Sequence, residues 1–279
     1  MLRPTDVPAL TDRTTNARVA LRPPLPLLSL LLLTLLCLTW PGTARAGEAV
    51  ILCYHRFGPT AADSMTTRTS VFEQQLARLK SEGYQFVPLD DVVEGLAGRR
   101  PLPEKAVALT IDDGHITVYS DVLPIIRREQ LPVTLFIYPS AISNASYAMT
   151  WEQLRELKDT GLVSIQSHTY WHPNFKTERK RLDDEAYAKF VKVQMEKPRA
   201  TLKQRLGVEA DVLAWPFGIH DPDLEAAAAA AGYRASLALG ERRAQDTDSP
   251  QSLPRFLIAD AKGVNGLVSL IRTGGEKPK

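Results

Sequence analysis

The stretch VALTIDDG, residues 107–114, places a mostly apolar run directly before two adjacent carboxylates. Such a run predicts a strand buried on both faces, as in a parallel sheet covered by helices. Asp112 and Asp113 end that strand, and the Asp-Gly step is also ordinary turn chemistry. Two interpretations therefore stay open: a simple turn, or a site where one carboxylate binds a metal and its neighbour handles a proton.

Other apolar runs share the length and composition of this strand, and helical segments separate them. Alternating strands and helices predict an α/β protein with a parallel sheet. Their repetition over residues 47–279 favours one domain, most simply a distorted (β/α) barrel of seven or eight units. A doubly wound open sheet is the alternative architecture. The predicted strands cover residues 49–53, 84–88, 106–111, 133–138, 162–166, 211–215, 234–239 and 254–258.

Several helix boundaries are readable from capping residues. The motifs S-x-x-E at 70–73 and T-x-x-Q at 150–153 are capping boxes, which predict two helix starts. Asp221 precedes a proline and an alanine-rich segment and predicts a third start. The long polar segment 183–206 predicts a helix with a break at Pro198, because proline removes a helical hydrogen bond.

Composition excludes several classes of protein. The chain has 279 residues, of which 44% are hydrophobic and 24% charged, and its formal net charge is +2. This apolar content excludes a disordered chain, and the near-neutral charge gives no support to nucleic-acid binding. Two cysteines cannot staple a chain of this length, so it is not a disulfide scaffold. Cys53 lies in an apolar run, and we expect it to be a buried thiol.

The first 46 residues differ from the rest. A basic segment precedes an apolar, leucine-rich run at 25–38, and the sequence Ala-Arg-Ala follows at 44–46. This order predicts a secretory signal peptide over residues 1–46, with an uncleaved membrane anchor as the alternative. The exported domain would then be residues 47–279, periplasmic or extracellular in a bacterium, with membrane contact only through an uncleaved leader.

Three further polar sites follow predicted strands. His168 and His172 are spaced i and i+4, which on a helical turn would present two imidazoles to one metal ion. The segment WPFG at 215–218 is either a hydrophobic turn or a groove wall that aims a backbone N–H at an oxyanion. His55 ends the first strand, where a single histidine is more often structural. In a parallel barrel these strand ends converge on one face, which predicts one shared site.

Three of these motifs resemble, in order, those of the polysaccharide deacetylases of carbohydrate esterase family 4, the group with the nodulation-type deacetylase domain. TIDDG at 110–114 is similar to the family motif TFDDG, and SHTYWH at 167–172 is similar to its H-[ST]-x-x-x-H motif. WPFG at 215–218 resembles its third motif. The resemblance covers roughly residues 49–260 and implies a metal-dependent N-deacetylase.

Two departures from the family pattern matter. Ala214 stands where the third motif usually has an arginine, and no histidine follows His220, so the late Leu-x-His motif is absent. His55 offers a replacement from the first strand, an arrangement similar to that of the poly-β-1,6-N-acetyl-D-glucosamine N-deacetylases. Arg255 would compensate for the missing arginine by orienting Asp112, or would form a salt bridge elsewhere.

The resemblance implies a role for each candidate residue. Asp112 would act as general base, and the backbone N–H of Phe217 would stabilise the oxyanion. His55 would act as general acid toward the leaving amine or, as imidazolium, stabilise the oxyanion. Imidazoles and a carboxylate suit Zn, or Fe, Co or Ni, as one divalent ion. The candidate ligands of that ion are Asp113, His168 and His172.

The substrate implied is an N-acetylglucosamine-containing polysaccharide, most specifically poly-β-1,6-N-acetylglucosamine, from which acetate would be released. Peptidoglycan or chitooligosaccharide deacetylation, or glycan binding with little catalysis, are the alternatives. The expected partners are this polysaccharide and an exopolysaccharide export machinery, with no nucleic acid. The candidate substrate-binding residues are Trp171, Trp215, Tyr138 and Arg255. For the three aromatic residues, packing in the core is the alternative.

Overall fold

A computed structural model of the chain describes residues 47–274, whose strands form a curled nine-stranded sheet and a separate two-stranded sheet. The strands are β1 (Glu48–Tyr54), β2 (Arg56–Gly58), β3 (Thr66–Arg68), β4 (Gln85–Phe86), β5 (Ala106–Asp112), β6 (Val133–Ile137), β7 (Val163–Ser167), β8 (Val212–Ala214), β9 (Ala235–Leu237), β10 (Ala244–Gln245) and β11 (Phe256–Leu257). The α-helices are α1 (Thr69–Ser81), α2 (Leu89–Leu96), α3 (Leu123–Glu129), α4 (Trp151–Asp159), α5 (Phe175–Arg181), α6 (Asp184–Leu206), α7 (Pro222–Ala230) and α8 (Gly263–Thr273).

The main sheet has nine strands and runs in the order β10-β1-β5-β6-β7-β8-β9, with β11 also on β1 and β4 also on β5. From β1 to β9 the neighbouring strands are parallel, and their order follows the chain without the reversal of a doubly wound sheet. The predicted barrel is therefore confirmed, and each of the eight predicted strands is present.

The segment 253–257 joins the two edges of this curled sheet. Leu253 bridges Leu237 of β9, and four residues later Leu257 pairs with Cys53 of β1. Because one short segment contacts the first and the last strand of the parallel series, it completes the distorted barrel. It also brings Arg255 to the carboxyl end of β5, where it pairs with Asp112.

Alternate residues of the same strands supply two separate cores. Leu52 and Leu109 belong to the cluster that the outer helices cover, whereas Ile51 and Ala108 belong to a second cluster on the other face of the sheet. Successive side chains of a strand point to opposite faces, so strands covered on both faces must be apolar throughout. This requirement explains why all seven residues of β5 are buried.

Two of the three predicted helix starts are confirmed. Thr150 accepts a hydrogen bond from the backbone N–H of Gln153 at 3.2 Å and completes a capping box, and Asp221 caps α7. The prediction at Ser70 is wrong, because the N-cap is Arg68, two residues earlier, and it makes no side-chain cap. Chain entry from the neighbouring β3 sets that start.

The predicted break at Pro198 is also wrong, because α6 is continuous from Asp184 to Leu206. Proline at this position removes only the hydrogen bond to the carbonyl of Gln194, one turn earlier. The ring of Pro198 is buried, so its packing offsets the loss of that bond.

The predicted signal peptide, residues 1–46, lies outside the described residues. Within residues 47–274, no helix is both long enough and apolar enough to cross a bilayer. The prediction for Cys53 is confirmed, since it is a free and fully buried thiol in β1.

Gly218 provides a test of the turn between β8 and α7. Its φ is +66°, and a Cβ there would lie 3.0 Å from the backbone nitrogen of Leu239. We expect Gly218→Ala to lower the free energy of unfolding by more than about 1 kcal/mol, since alanine is strained at this φ and crowded as well. Denaturant unfolding measures the change.

Gly161→Ala is the matched control, because Gly161 has a φ of +73° but no atom lies within 4 Å of the place that an added methyl group would take. The control carries the same backbone strain without the crowding, so its destabilisation should be clearly smaller. Equal losses in the two variants would contradict the close approach at Gly218.

Candidate active site

A cavity of about 360 Å³ opens at the carboxyl ends of the parallel strands, as the sequence predicts. Each of the four polar sites contributes to it, from the ends of β1, β5, β7 and β8. The segment 253–257 adds Arg255. The side chains that line it include Cys53, His55, Arg56, Asp112, Asp113, His168, His172, Phe217 and Arg255.

Asp113, His168 and His172 form a compact set of three potential metal ligands. One ligand atom from each lies within 4.8 Å of the others. The Nε2 atoms of both histidines are 3.7 Å from Oδ1 of Asp113. Two imidazole nitrogens and one carboxylate oxygen at this spacing fit one divalent ion and leave further positions for water and substrate.

The two histidines lie on a loop and not on a helical turn, so that part of the sequence prediction is wrong. Thr169 and His172 have φ values of +65° and +62°, in the left-handed region. These two residues fold the backbone back on itself. The rings of His168 and His172 consequently meet edge to face, with centroids 4.7 Å apart, although the connecting backbone is irregular.

Each imidazole is held in the form that a metal ligand requires. Nδ1 of His168 lies 2.7 Å from the carbonyl oxygen of Ala214, and because a carbonyl only accepts, Nδ1 must donate. Nε2 is then the free lone pair that faces Asp113. Burial lowers the pKa of His168 to about 3 and also lowers the pKa of His172, so both rings are neutral at physiological pH.

Asp112 is held by a buried ion pair with Arg255. The guanidinium donates to Oδ1 at 2.8 Å and to Oδ2 at 2.7 Å, and both side chains are almost completely buried. Burial alone would raise the pKa of Asp112, but the charge and hydrogen bonds of Arg255 hold it well below its usual range. The pairing agrees with the expectation that Arg255 orients Asp112, and it leaves Arg255 no exposed surface for substrate.

The pKa of the neighbouring carboxylate, Asp113, is shifted in the opposite direction. Burial and the negative charge of Asp112 raise the pKa of Asp113. Two adjacent aspartates therefore occupy different electrostatic environments, because Asp112 ends β5 and pairs with Arg255, whereas Asp113 lies just beyond the strand with a left-handed φ of +74° and faces the histidines. A bound cation would offset the repulsion that Asp113 experiences.

His55 and Cys53 approach Asp112 from β1. One ligand atom of each lies within 4.8 Å of an Asp112 oxygen, and the thiol of Cys53 donates to Oδ2 at 3.3 Å. Among the described residues, Nδ1 of His55 is a buried nitrogen without a hydrogen-bond partner. Cys53 was not predicted at the site; it lies in β1 and His55 directly follows that strand, so both reach Asp112 from the same end of β1.

The aromatic candidates divide into exposed and buried residues. Phe217 is 59% exposed and its ring lies 4.6 Å from that of His172, whereas Trp171 is 48% exposed beside Phe190. Tyr138 lies against His172 at 5.3 Å. Trp215 is fully buried and its indole N–H donates to the carbonyl of Gln251, so the structure contradicts a stacking role for it.

The sequence of this chain is similar to those of known polysaccharide deacetylases. Residues 99–236 match the family model described as polysaccharide deacetylase. The chain is 28% identical over 263 residues to the poly-β-1,6-N-acetyl-D-glucosamine N-deacetylase of Escherichia coli strain K12. The match covers 82% of this chain but only 39% of the length of that protein. The chain is 24% identical to the protein of the same name from Staphylococcus aureus strain MRSA252, covering 68% and 67% of the two chains.

Solved structures share the same fold. The chain superposes on IcaB from Ammonifex degensii with a TM-score of 0.69 at 26% identity, covering 80% of this chain and 97% of that one. It superposes on the deacetylase PplD of Streptococcus pyogenes with a TM-score of 0.72 at 23% identity, covering 81% and 99%. The family match contains the carboxylates and the histidine pair, whereas His55 and Arg255 lie outside its limits.

The ion pair of Asp112 and Arg255 predicts a large stability effect. We expect Arg255→Met to lower the free energy of unfolding by about 3–5 kcal/mol near neutral pH, because it leaves a buried carboxylate without its counter-charge. Adding Asp112→Asn should recover part of the loss, since the uncompensated charge is removed. Denaturant unfolding in the presence of a chelator measures both variants.

The direction of the pKa shift of Asp112 determines how the stability of the wild type and of Arg255→Met depends on pH. In the wild type the pKa of Asp112 is lowered, so its contribution to stability is present above the unfolded pKa of about 3.9 and is lost as the pH falls. In Arg255→Met burial alone would raise that pKa, so stability should fall as the pH rises from about 4 to 7. A constant difference between the two proteins over this range would contradict the assignment.

Proposed function

Because the chain carries a polysaccharide deacetylase domain, we propose that it is a metal-dependent hydrolase that removes N-acetyl groups from poly-β-1,6-N-acetylglucosamine. One observation carries the proposal: three potential metal ligands lie beside a carboxylate that is held ionised, in a cavity at the carboxyl ends of the strands. Acetate and a glucosamine unit of the polymer would be the products.

Asp113, His168 and His172 would hold the metal ion. Their donor set fits Zn, or Fe, Co or Ni, and the neutral imidazoles offer lone pairs without prior loss of a proton. When bound, such an ion polarises the acetamide carbonyl and lowers the pKa of a coordinated water.

Asp112 would accept the proton of the attacking water. Its low pKa keeps it ionised across the physiological range, and Arg255 fixes its orientation. The water oxygen forms a bond to the acetyl carbon, and the electron pair of the carbonyl moves to its oxygen. The backbone N–H of Phe217 would donate a hydrogen bond to that oxygen.

His55 would deliver a proton to the departing nitrogen. The carbon–nitrogen bond then breaks, the electron pair goes to the nitrogen, and a free amine and acetate separate. His55 lines the cavity beside Asp112, which supports a role toward a bound substrate. Trp171, Phe217 and Tyr138 would form the rim that contacts the sugar.

The names of the relatives support the choice of substrate. Proteins from Escherichia coli and Staphylococcus aureus that match this chain are named poly-β-1,6-N-acetyl-D-glucosamine N-deacetylases. We extend that substrate to this chain as part of the proposal, together with export by the predicted leader and partnership with an exopolysaccharide export machinery. Peptidoglycan and chitooligosaccharides are the competing substrates.

Acetate release from purified protein tests the proposal. We expect poly-β-1,6-N-acetylglucosamine oligomers to release acetate faster than peptidoglycan fragments or chitooligosaccharides of equal length. Chelation should abolish the release and a divalent metal should restore it, because the metal supplies the electrophile. His168→Ala should lose both the metal and the activity.

His220→Ala is the control for His168→Ala, because His220 pairs with Glu225 outside the three-ligand set. It should keep both metal and activity. Full acetate release from chelated protein would refute metal dependence, and a faster rate on peptidoglycan or on chitooligosaccharides would replace the proposed substrate.

The role of His55 gives a separate kinetic prediction. We expect His55→Ala to lower kcat by about 10²–10⁴-fold with a much smaller change in KM, because general acid catalysis acts on the transition state. Bound metal per protein, measured by elemental analysis, should stay at the wild-type value. An unchanged kcat would remove His55 from the mechanism.

A further inference from the structure

The loop that carries His168 and His172 depends on a residue from a distant helix. Its backbone has left-handed conformations at Thr169 and His172, which L-residues adopt only where the surrounding structure holds them. Thr169 is β-branched, so its φ of +65° is especially unfavourable. Something outside the loop must therefore stabilise it.

The hydrogen bonds of the loop identify what stabilises it. The N–H of His168 donates to the carbonyl of Ile137 at 2.9 Å, which is a contact with β6. The N–H of Thr169 and that of His172 donate to the hydroxyls of Ser167 and Thr169, within the loop itself. The two remaining N–H groups, at the centre of the loop, have no acceptor nearby in sequence.

Gln194 of α6 supplies the acceptor for both. Its Oε1 accepts from the N–H of Tyr170 at 3.1 Å and from the N–H of Trp171 at 3.2 Å. The side chain of Gln194 is 3% exposed, so water cannot easily take its place. All five N–H groups from His168 to His172 are thus satisfied, two of them by this one oxygen.

Tyr233 links the same helix to the start of the loop. Its hydroxyl lies 2.9 Å from the carbonyl oxygen of Met195, the residue after Gln194, and 2.8 Å from Ser167 Oγ; because a carbonyl only accepts, the phenol donates to Met195 and accepts from Ser167. Helix α6 is therefore fixed against both the start and the middle of the loop. A shift of the helix would move the segment between the two histidines.

We propose that Gln194 is a positioning residue that sets the geometry of the His168 and His172 imidazoles and thereby the affinity of the metal site. This inference rests on the proposed binding of a metal by these histidines. Without the amide oxygen, two adjacent N–H groups lose their partner in a partly buried loop, and the left-handed conformations lose their support. Residues outside the ligand set that orient the ligands commonly change metal affinity 10–100-fold.

Zinc affinity of three variants tests the role of Gln194. Gln194→Met keeps the length of the side chain but has no oxygen, and we expect it to bind Zn²⁺ about 10–100-fold more weakly in a chelator competition. Gln194→Glu keeps a carboxyl oxygen as acceptor in either protonation state and should restore affinity close to that of the wild type. Gln204→Met, on an exposed position of the same helix, is the matched control and should leave affinity unchanged.

Co²⁺ absorption adds a readout that a loss of stability alone would not change. The visible bands of the Co²⁺-loaded Gln194→Met protein should shift relative to the wild type, whereas those of Gln194→Glu should not. Wild-type affinity and spectrum in Gln194→Met would overturn the role of Gln194. A wild-type protein that binds no divalent metal would instead overturn the proposed metal dependence.

Amide exchange in the wild-type protein keeps the test independent of whether Gln194→Met folds. The N–H groups of Tyr170 and Trp171 should exchange slowly in metal-free protein, because both donate to Gln194. Rapid exchange at both would show that Gln194 does not hold the loop. Slow exchange in the wild type and rapid exchange in Gln194→Met would support the inference.

Discussion

The buried pair of Asp112 and Arg255 is the interaction on which the site depends. Neither charge could remain in this position alone, because a carboxylate or a guanidinium without a partner is unstable away from water. Their pairing joins the central strand β5 to the segment that completes the barrel. It also leaves Asp112 ionised beside the cavity, where its chemistry is needed, so one contact serves both architecture and electrostatics.

A single step along the chain separates two different kinds of carboxylate. Asp112 faces a fixed cation supplied by the protein, whereas Asp113 faces two neutral imidazoles and lacks such a partner. Asp112 is the last residue of β5, whereas Asp113 follows it with a left-handed backbone, so the difference arises without any change of residue type. The protein thus provides one negative group that is already compensated and one that still attracts a cation.

Much of the fold and of the candidate site could be predicted from the sequence, because strands buried on both faces are continuous apolar runs and polar residues at their ends stand out. The loop that carries His168 and His172 could not be predicted, since its left-handed backbone is set by Gln194, which follows it by more than twenty residues. The continuity of α6 through Pro198 likewise depends on burial of the ring. The strands β2, β3 and β10 could not be predicted either, because their segments RFG, TTR and AQ contain polar residues and are not continuous apolar runs. Tertiary contacts decide such features, and local sequence does not encode them.

The closure of the barrel by residues 253–257 makes the site depend on segments that are far apart along the chain. The carboxylates and the histidine pair come from the middle of the described region, but His55 directly follows its first strand and Arg255 lies near its end. Because Arg255 reaches Asp112 from the segment that pairs with both β1 and β9, loss of that short segment from the sheet would leave a buried carboxylate without its counter-charge.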